Sequence, residues 1–136
     1  MPQIPSAING VSIQFGEGVS NDVHQRVIDG LKRCIKPQIA TGHTLMNVHI
    51  SSAYDSHQMP SRHMQHKAVD ISRINSTKII IGYAQGGALK AIVDAIQDAF
   101  EEYSFRRENF GPHLKRKSGQ SWNVSGHNDH IHLSVN

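Results

Sequence analysis

Apolar residues recur at helical spacing in two stretches of the chain. The first begins after Ser20 or Asn21, either of which can cap a helix, and is expected to end near Pro37. Its apolar face comprises Val23, Val27, Ile28, Leu31 and Ile35. The second covers about 87–103, and its apolar face comprises Leu89, Ile92, Val93, Ile96 and Phe100. This spacing predicts two amphipathic helices that each bury one face.

Three shorter segments alternate apolar and polar residues, which is typical of strands with one buried face. They cover 45–51, 68–74 and 131–135. In 68–74, Val69 and Ile71 oppose Asp70, and in 131–135 the apolar positions oppose His132. Ile79, Ile80 and Ile81 form a short apolar run that is expected to be buried. The segment 104–124 combines basic residues with glycine and proline, and we expect a hairpin or loop with its charges at a solvated surface.

These elements predict a single α+β domain over residues 1–136. The sheet is expected to be central and antiparallel, with the helices packed on one face. The polar sides of the strands would then line a groove on the other face. A chain of 136 residues has room for one core of this kind, and 38% of its residues are hydrophobic.

Composition limits the classes of protein to which the chain can belong. No run of about 18 apolar residues is present, so we expect no membrane span. The first twenty residues lack the pattern of a secretory signal, and we expect synthesis in the cytoplasm. Cys34 is the sole cysteine and is expected in the core, which excludes an internal disulfide. The net charge of +3 favours anionic partners.

Ten histidines stand out, and six of them form two clusters. The clusters comprise His57, His63 and His66, and His127, His130 and His132. We expect His63, Asp70 and His132 to bind a metal, because two imidazoles and one carboxylate suit Zn²⁺. Three protein ligands leave one coordination position open, as in catalytic zinc sites. The chain must bend between His63 and Asp70, since residues seven apart in one strand face opposite sides.

Hydrolysis of an amide also needs a group that moves a proton from water to the leaving nitrogen. Asp129 and His130 are the candidates because both lie next to the predicted ligand His132. His127 is expected to bind substrate or to orient these groups. His49 and His57 are expected to line the groove as further substrate contacts.

Two motifs carry a resemblance to known peptidases. The first is Ser61-Arg62-His63-Met64-Gln65-His66-Lys67-Ala68-Val69-Asp70, and it resembles the S-x-H-x-x-G-x-A-x-D motif of D-alanyl-D-alanine metallopeptidases and phage L-alanyl-D-glutamate endolysins. The second is His127-Asn128-Asp129-His130-Ile131-His132, and it is similar to the H-x-D-H-x-H ending of penicillin-insensitive murein endopeptidases. Both belong to the superfamily that also contains lysostaphin and the hedgehog signalling domain.

This resemblance implies zinc bound by His63, Asp70 and His132. One branch implies Asp129 as the base and the other implies His130, so both stay open. The chain departs from the family at two places. Asp55 stands where a substrate-binding Arg is expected, and His66 replaces the motif's glycine, so no glycine-only backbone angle is expected there.

The resemblance therefore predicts a zinc peptidase, of the phage endolysin type, that cuts stem or cross-bridge peptides of peptidoglycan after release from the cell. We expect a monomer. The alternative is a zinc-containing binding domain of the same fold without turnover. A structural zinc would need a fourth ligand such as His127 or His130, and an iron oxygenase would place its first two ligands closer together. The basic region 106–117 holds few aromatic residues, so a nucleic-acid partner is not expected.

Overall fold

The structure is a computed structural model that describes residues 2–53 and 65–136. These residues form a mixed α/β fold with three helices and an open sheet of nine strands. The strands are β1 (Ala7–Ile8), β2 (Val11–Phe15), β3 (Asn47–Ser52), β4 (Ala68–Ile74), β5 (Thr77–Lys78), β6 (Arg106–Phe110), β7 (Lys115–Lys117), β8 (Gln120–Ser121) and β9 (Ile131–Val135). The helices are α1 (Gln25–Cys34), α2 (Ile79–Gly82) and α3 (Gly87–Glu101).

The sheet has the order β1-β2-β3-β4-β9-β6-β7-β8, and β5 pairs with β4. The prediction of an antiparallel sheet is wrong for one pair, because β2 and β3 are parallel. Helix α1 lies between these two strands in the chain and returns it to the same end of the sheet, so β3 starts in the same direction as β2. The C-terminal strand β9 is inserted between β4 and β6. The ends of the two motifs, at Asp70 and His132, are thereby brought next to each other.

Two-residue turns with positive φ connect three of the hairpins. They are Asn9–Gly10 between β1 and β2, Asn75–Ser76 between β4 and β5, and Ser118–Gly119 between β7 and β8. Left-handed backbone at both positions matches the twist of the flanking strands. The segment 104–124, for which a hairpin or loop was predicted, forms the antiparallel strands β6, β7 and β8.

The two long helices agree with their apolar patterns, although α1 begins later than expected. His24, and neither Ser20 nor Asn21, is the N-cap of α1, and its ring accepts a hydrogen bond from the Arg26 N–H. The apolar faces of both helices enter one core with Val69, Ile71 and Leu133 of the central strands. Cys34 is fully buried there, as predicted.

The prediction of a buried run at Ile79, Ile80 and Ile81 is correct only for Ile79. These residues form the helix α2, in which successive side chains point about 100° apart, so three in a row cannot share one face. Ile79 is buried, whereas Ile80 and Ile81 are each 57% exposed.

Within residues 2–53 and 65–136, none of the helices alone has the length and apolar character needed to cross a membrane. The segments Ile79–Gln85 and Gly87–Glu101 reach that length and composition only as a pair bent by 107°.

Candidate metal centre and catalytic groups

Asp70 and His132 lie side by side at the centre of the sheet. Asp70 is in β4, its cross-strand partner in β9 is His132, and Ser52 of β3 and Phe110 of β6 continue the same row. Directly paired residues of neighbouring strands project from the same face. The apolar neighbours of Asp70 and His132 in sequence point into the core, so both polar side chains project from the opposite face.

The two side chains are in direct contact. The Asp70 Oδ1 atom lies 2.8 Å from the His132 Nδ1 atom, although 62 positions separate the residues in sequence. Both side chains are mostly buried, with 15% of Asp70 and 12% of His132 exposed. This contact brings together two of the three predicted metal ligands.

Glu108 holds the other nitrogen of the His132 ring. Its Oε1 atom lies 3.0 Å from Nε2 of His132 and accepts a 2.8 Å hydrogen bond from the Ser134 hydroxyl. The pairing of β6 with β9 has an irregularity between Arg106 and Asn109, and Glu108 lies in it. Such a bulge re-aims a side chain. Glu108 thus fixes the orientation of the imidazole and leaves Nδ1 directed at Asp70.

Burial and hydrogen bonding shift the pKa values of His132 and Glu108 in opposite directions. Burial alone would lower the pKa of His132, but its hydrogen bonds with Asp70 and Glu108 raise that pKa to about 9. Burial would likewise raise the pKa of Glu108, whereas hydrogen bonds with His132 and Ser134 lower it to about 2. In the metal-free protein, His132 is therefore a protonated ring between two carboxylates at neutral pH.

The segment before β9 places the predicted catalytic groups next to this pair. Nδ1 of His130 is 2.7 Å from Oδ1 of Asp129, and its Nε2 is 3.9 Å from Oδ1 of Asp70. His130 therefore lies between Asp129 and the predicted ligands. The hydrogen bond with His130 lowers the pKa of Asp129, so this exposed carboxyl is ionised at neutral pH.

His127 lies against the aromatic side of the site. Its ring centroid is 5.1 Å from that of Phe110, 5.0 Å from that of His130 and 5.8 Å from that of His132. Burial and the nearby His130 and His132 lower the pKa of His127. Its predicted role, to bind substrate or to orient these groups, stays a prediction.

His49 lies on β3, the strand next to the one that carries Asp70. It lines a hollow of about 320 Å³ that also includes Asp129, and its role as a substrate contact stays a prediction. His63 and His57 lie outside the described residues, as do Asp55 and the first part of the motif that ends at Asp70. Asp70 and His132 are thus in contact, and metal binding by these two residues and by His63 stays a prediction.

His66 occupies the position at which the family motif has glycine. Its φ is 59°, a left-handed conformation that favours glycine but that histidine can adopt. Its Nδ1 atom is 2.8 Å from the Asp22 carbonyl oxygen, and its own carbonyl accepts from the His24 N–H. The expectation that the angle is not restricted to glycine agrees with this geometry.

The described residues fit zinc only in part. Among residues 2–53 and 65–136, no three His, Cys, Asp or Glu side chains are grouped so that they could hold a metal ion. Asp70 and His132 supply one oxygen and one nitrogen donor of the kinds zinc prefers. The carboxylate on the second ring nitrogen of His132 matches the arrangement in which metal-binding histidines are held. The chemistry of this pair thus suits two ligand positions, and His63 would be needed for a third.

Sequence reasoning missed Glu108. Its charge was expected at a solvated surface, yet the side chain is half-buried and contacts a predicted ligand. A strand register and a bulge create this contact across 24 positions. No local spacing in the sequence signals it.

No protein-family model matches the chain, and no match is found among curated proteins or among solved structures. The family resemblance therefore stays a prediction based on the two motifs.

Proposed function

We propose that the protein is a zinc-dependent peptidase that hydrolyses an amide bond in the peptide part of bacterial peptidoglycan, in the manner of a phage endolysin that acts on the wall after release. The single observation that supports this most is the contact of Asp70 with His132. These two residues come from separate motifs, both are predicted metal ligands, and they meet in a partly enclosed polar site. A random pair of surface residues would not be expected to do so.

In this proposal, Asp70 and His132 would hold the metal on the face of the sheet opposite α1 and α3, with His63 as the third ligand. Zinc with an open coordination position supplies Lewis-acid activation of water and of the scissile carbonyl at neutral pH. Glu108 accepts the hydrogen bond of Nε2 and so leaves the Nδ1 atom of His132 facing Asp70, the neighbouring residue that would hold the metal with it. The proton on Nδ1 must leave before that nitrogen can bind zinc.

The pair of His130 and Asp129 is suited to proton transfer. The Nδ1–H group of His130 donates to Asp129, and its Nε2 atom, which would take up the proton, faces Asp70. The Nε2 atom of His130 lies 3.9 Å from Oδ1 of the predicted ligand Asp70. We therefore assign proton transfer to His130 and the orientation of its ring to Asp129.

The direct test is mass spectrometry of fragments released from purified peptidoglycan. We expect the protein to release peptides with zinc, to stop with a chelator and to resume when zinc is restored. Asp129→Asn should lower the rate less than His130→Gln does, since removal of a general base costs about 10²–10⁴ in rate. His43→Gln, which changes a histidine far from β4 and β9 in sequence, is the control and should behave as wild type. Intact peptidoglycan and equal spectra with and without chelator would refute the proposal.

A second candidate is a zinc-containing binding domain without catalysis. Asp55 at the place of the expected substrate-binding Arg favours it. Such a domain would differ from a peptidase in the fragment-release experiment. It would bind zinc, and when immobilised on a column it would retain wall peptides, yet it would release no fragments from peptidoglycan.

A further inference from the structure

Three nitrogen-bearing side chains lie in one row across β3, β4 and β5. His49 is the cross-strand partner of Arg73, and Arg73 is the partner of Lys78. Residues paired in this way have Cβ atoms about 4.5–5.5 Å apart and project from the same face. The row therefore gathers two cationic groups and one imidazole within reach of a single small anion.

A strand irregularity places Arg73 in this row. Ile50 pairs with Ile71, but His49 pairs with Arg73, so Ser72 is an extra residue between the two pairs. Ile71 and Ile74 both point into the core, and the extra residue lets Ser72 and Arg73 lie on the outer side. The bulge thus interrupts the regular alternation of buried and exposed residues and places polar groups next to each other.

No carboxylate of the described residues forms an ion pair with Arg73 or Lys78, although Asp129 lines the same hollow. Like charges directly opposite each other destabilise a sheet. A bound anion would remove that repulsion.

The row lines a hollow that leads to the predicted catalytic groups. His49, Arg73 and Lys78 share this hollow of about 320 Å³ with the hydroxyls of Ser51 and Ser72. Asp129 forms part of its wall, and Asp129 contacts His130, which in turn lies 3.9 Å from Asp70. A group bound in the hollow therefore lies next to the proposed site of hydrolysis.

We propose that His49, Arg73 and Lys78 form an anion subsite that binds a carboxylate of the peptide substrate. That the anion belongs to a peptide substrate rests on the proposed function, whereas the subsite itself rests on the strand register and on the hollow. Arg73 offers paired donors that match a carboxylate, and Lys78 and His49 add further N–H groups.

The test measures binding by calorimetry in chelator-treated buffer, so that neither zinc nor turnover contributes. The probes are an acetylated peptidoglycan stem pentapeptide with free carboxylates and the same peptide with every carboxylate converted to an amide. The variants are Arg73→Gln/Lys78→Gln and, as a matched control, Lys32→Gln/Lys36→Gln. Both double variants remove two positive charges. In the control, Lys32 lies on α1 and Lys36 follows this helix, and both side chains are exposed.

We expect wild type and the control variant to bind the acid about tenfold to a hundredfold more tightly than the amide, which is the effect of one or two charge-assisted hydrogen bonds. The Arg73→Gln/Lys78→Gln variant should lose that preference. Equal binding of acid and amide by wild type, or a preference that survives in this variant, would overturn the subsite. Fragment release from peptidoglycan is measured separately with zinc: a carboxylate preference without release would support the subsite and count against the peptidase.

Discussion

Replacing Glu108 with Gln removes one of the two carboxylates that hold the His132 ring and nearly preserves the size of the side chain. The amide oxygen can still accept from Nε2 of His132, so the main loss is the negative charge. Both carboxylates together raise the pKa of His132 from 6.5 to about 9. A group whose pKa is raised in the folded state stabilises the fold while it is protonated, and that contribution disappears as the pH rises through the folded-state pKa.

The size of the effect follows from this pKa. A rise from 6.5 to about 9 corresponds to about 3 kcal/mol of stability at low pH, at about 1.4 kcal/mol per tenfold change in proton affinity. Asp70 and Glu108 share that contribution, so Glu108→Gln should lower the free energy of unfolding of the metal-free protein by about 2 kcal/mol at pH 6. At pH 10, where His132 is neutral in both proteins, the difference should nearly vanish.

Urea unfolding followed by circular dichroism at pH 6 and pH 10 measures this difference. Glu102→Gln is the matched control, because Glu102 is exposed at the end of α3 and loses the same charge. Its free energy of unfolding should differ from that of wild type by less than about 0.5 kcal/mol at both pH values. An equal loss of stability for Glu108→Gln at pH 6 and pH 10 would show that the charge on His132 does not depend on Glu108.

Three further predictions concern the fold. The Cys34 thiol, whose pKa burial raises to about 12, should resist alkylation in the native protein and react in urea; labelling of the native protein, detected by mass spectrometry, would contradict its burial. Gly10→Ala should lower the free energy of unfolding by about 1 kcal/mol, because φ is +84° there and the space around the position is open, so only backbone strain is added; an unchanged melting temperature would refute this. Phe100→Ala should cost about 3–5 kcal/mol in denaturant unfolding, since this ring is among the largest fully buried side chains; a loss below 1 kcal/mol would contradict the packing of α3 in the core.

The elements that could be predicted from the sequence are those whose signal is local. The strand at 68–74 and the helix that begins at Gly87 have the predicted limits within two residues, because their apolar residues keep one period throughout. The proximity of Asp70 and His132 was predicted from chemistry, since one metal was expected to need both. The structure brings them together through the insertion of β9 beside β4.

Other features depend on contacts between segments that are distant in sequence, which the periodicity of a single segment does not predict. The strands β1 and β2 were not predicted, although Asn9–Gly10 between alternating segments is a strong hairpin signal. The parallel pairing of β2 with β3 requires the path of α1 over the sheet. The contact of Glu108 with His132 requires both the register of β6 and its bulge. Each of these depends on where a distant segment lies.

The central claim is that His63, Asp70 and His132 bind one zinc ion. Metal analysis of the purified protein after equilibration with zinc and gel filtration tests it most directly, with the single variants His63→Ala, Asp70→Ala and His132→Ala and the control His113→Ala. We expect one zinc per chain in wild type and in the control, and loss of zinc in each of the three variants. Circular dichroism of each metal-free variant separates lost binding from lost folding. A wild-type protein without zinc, or a folded His63→Ala variant that keeps it, would contradict the claim.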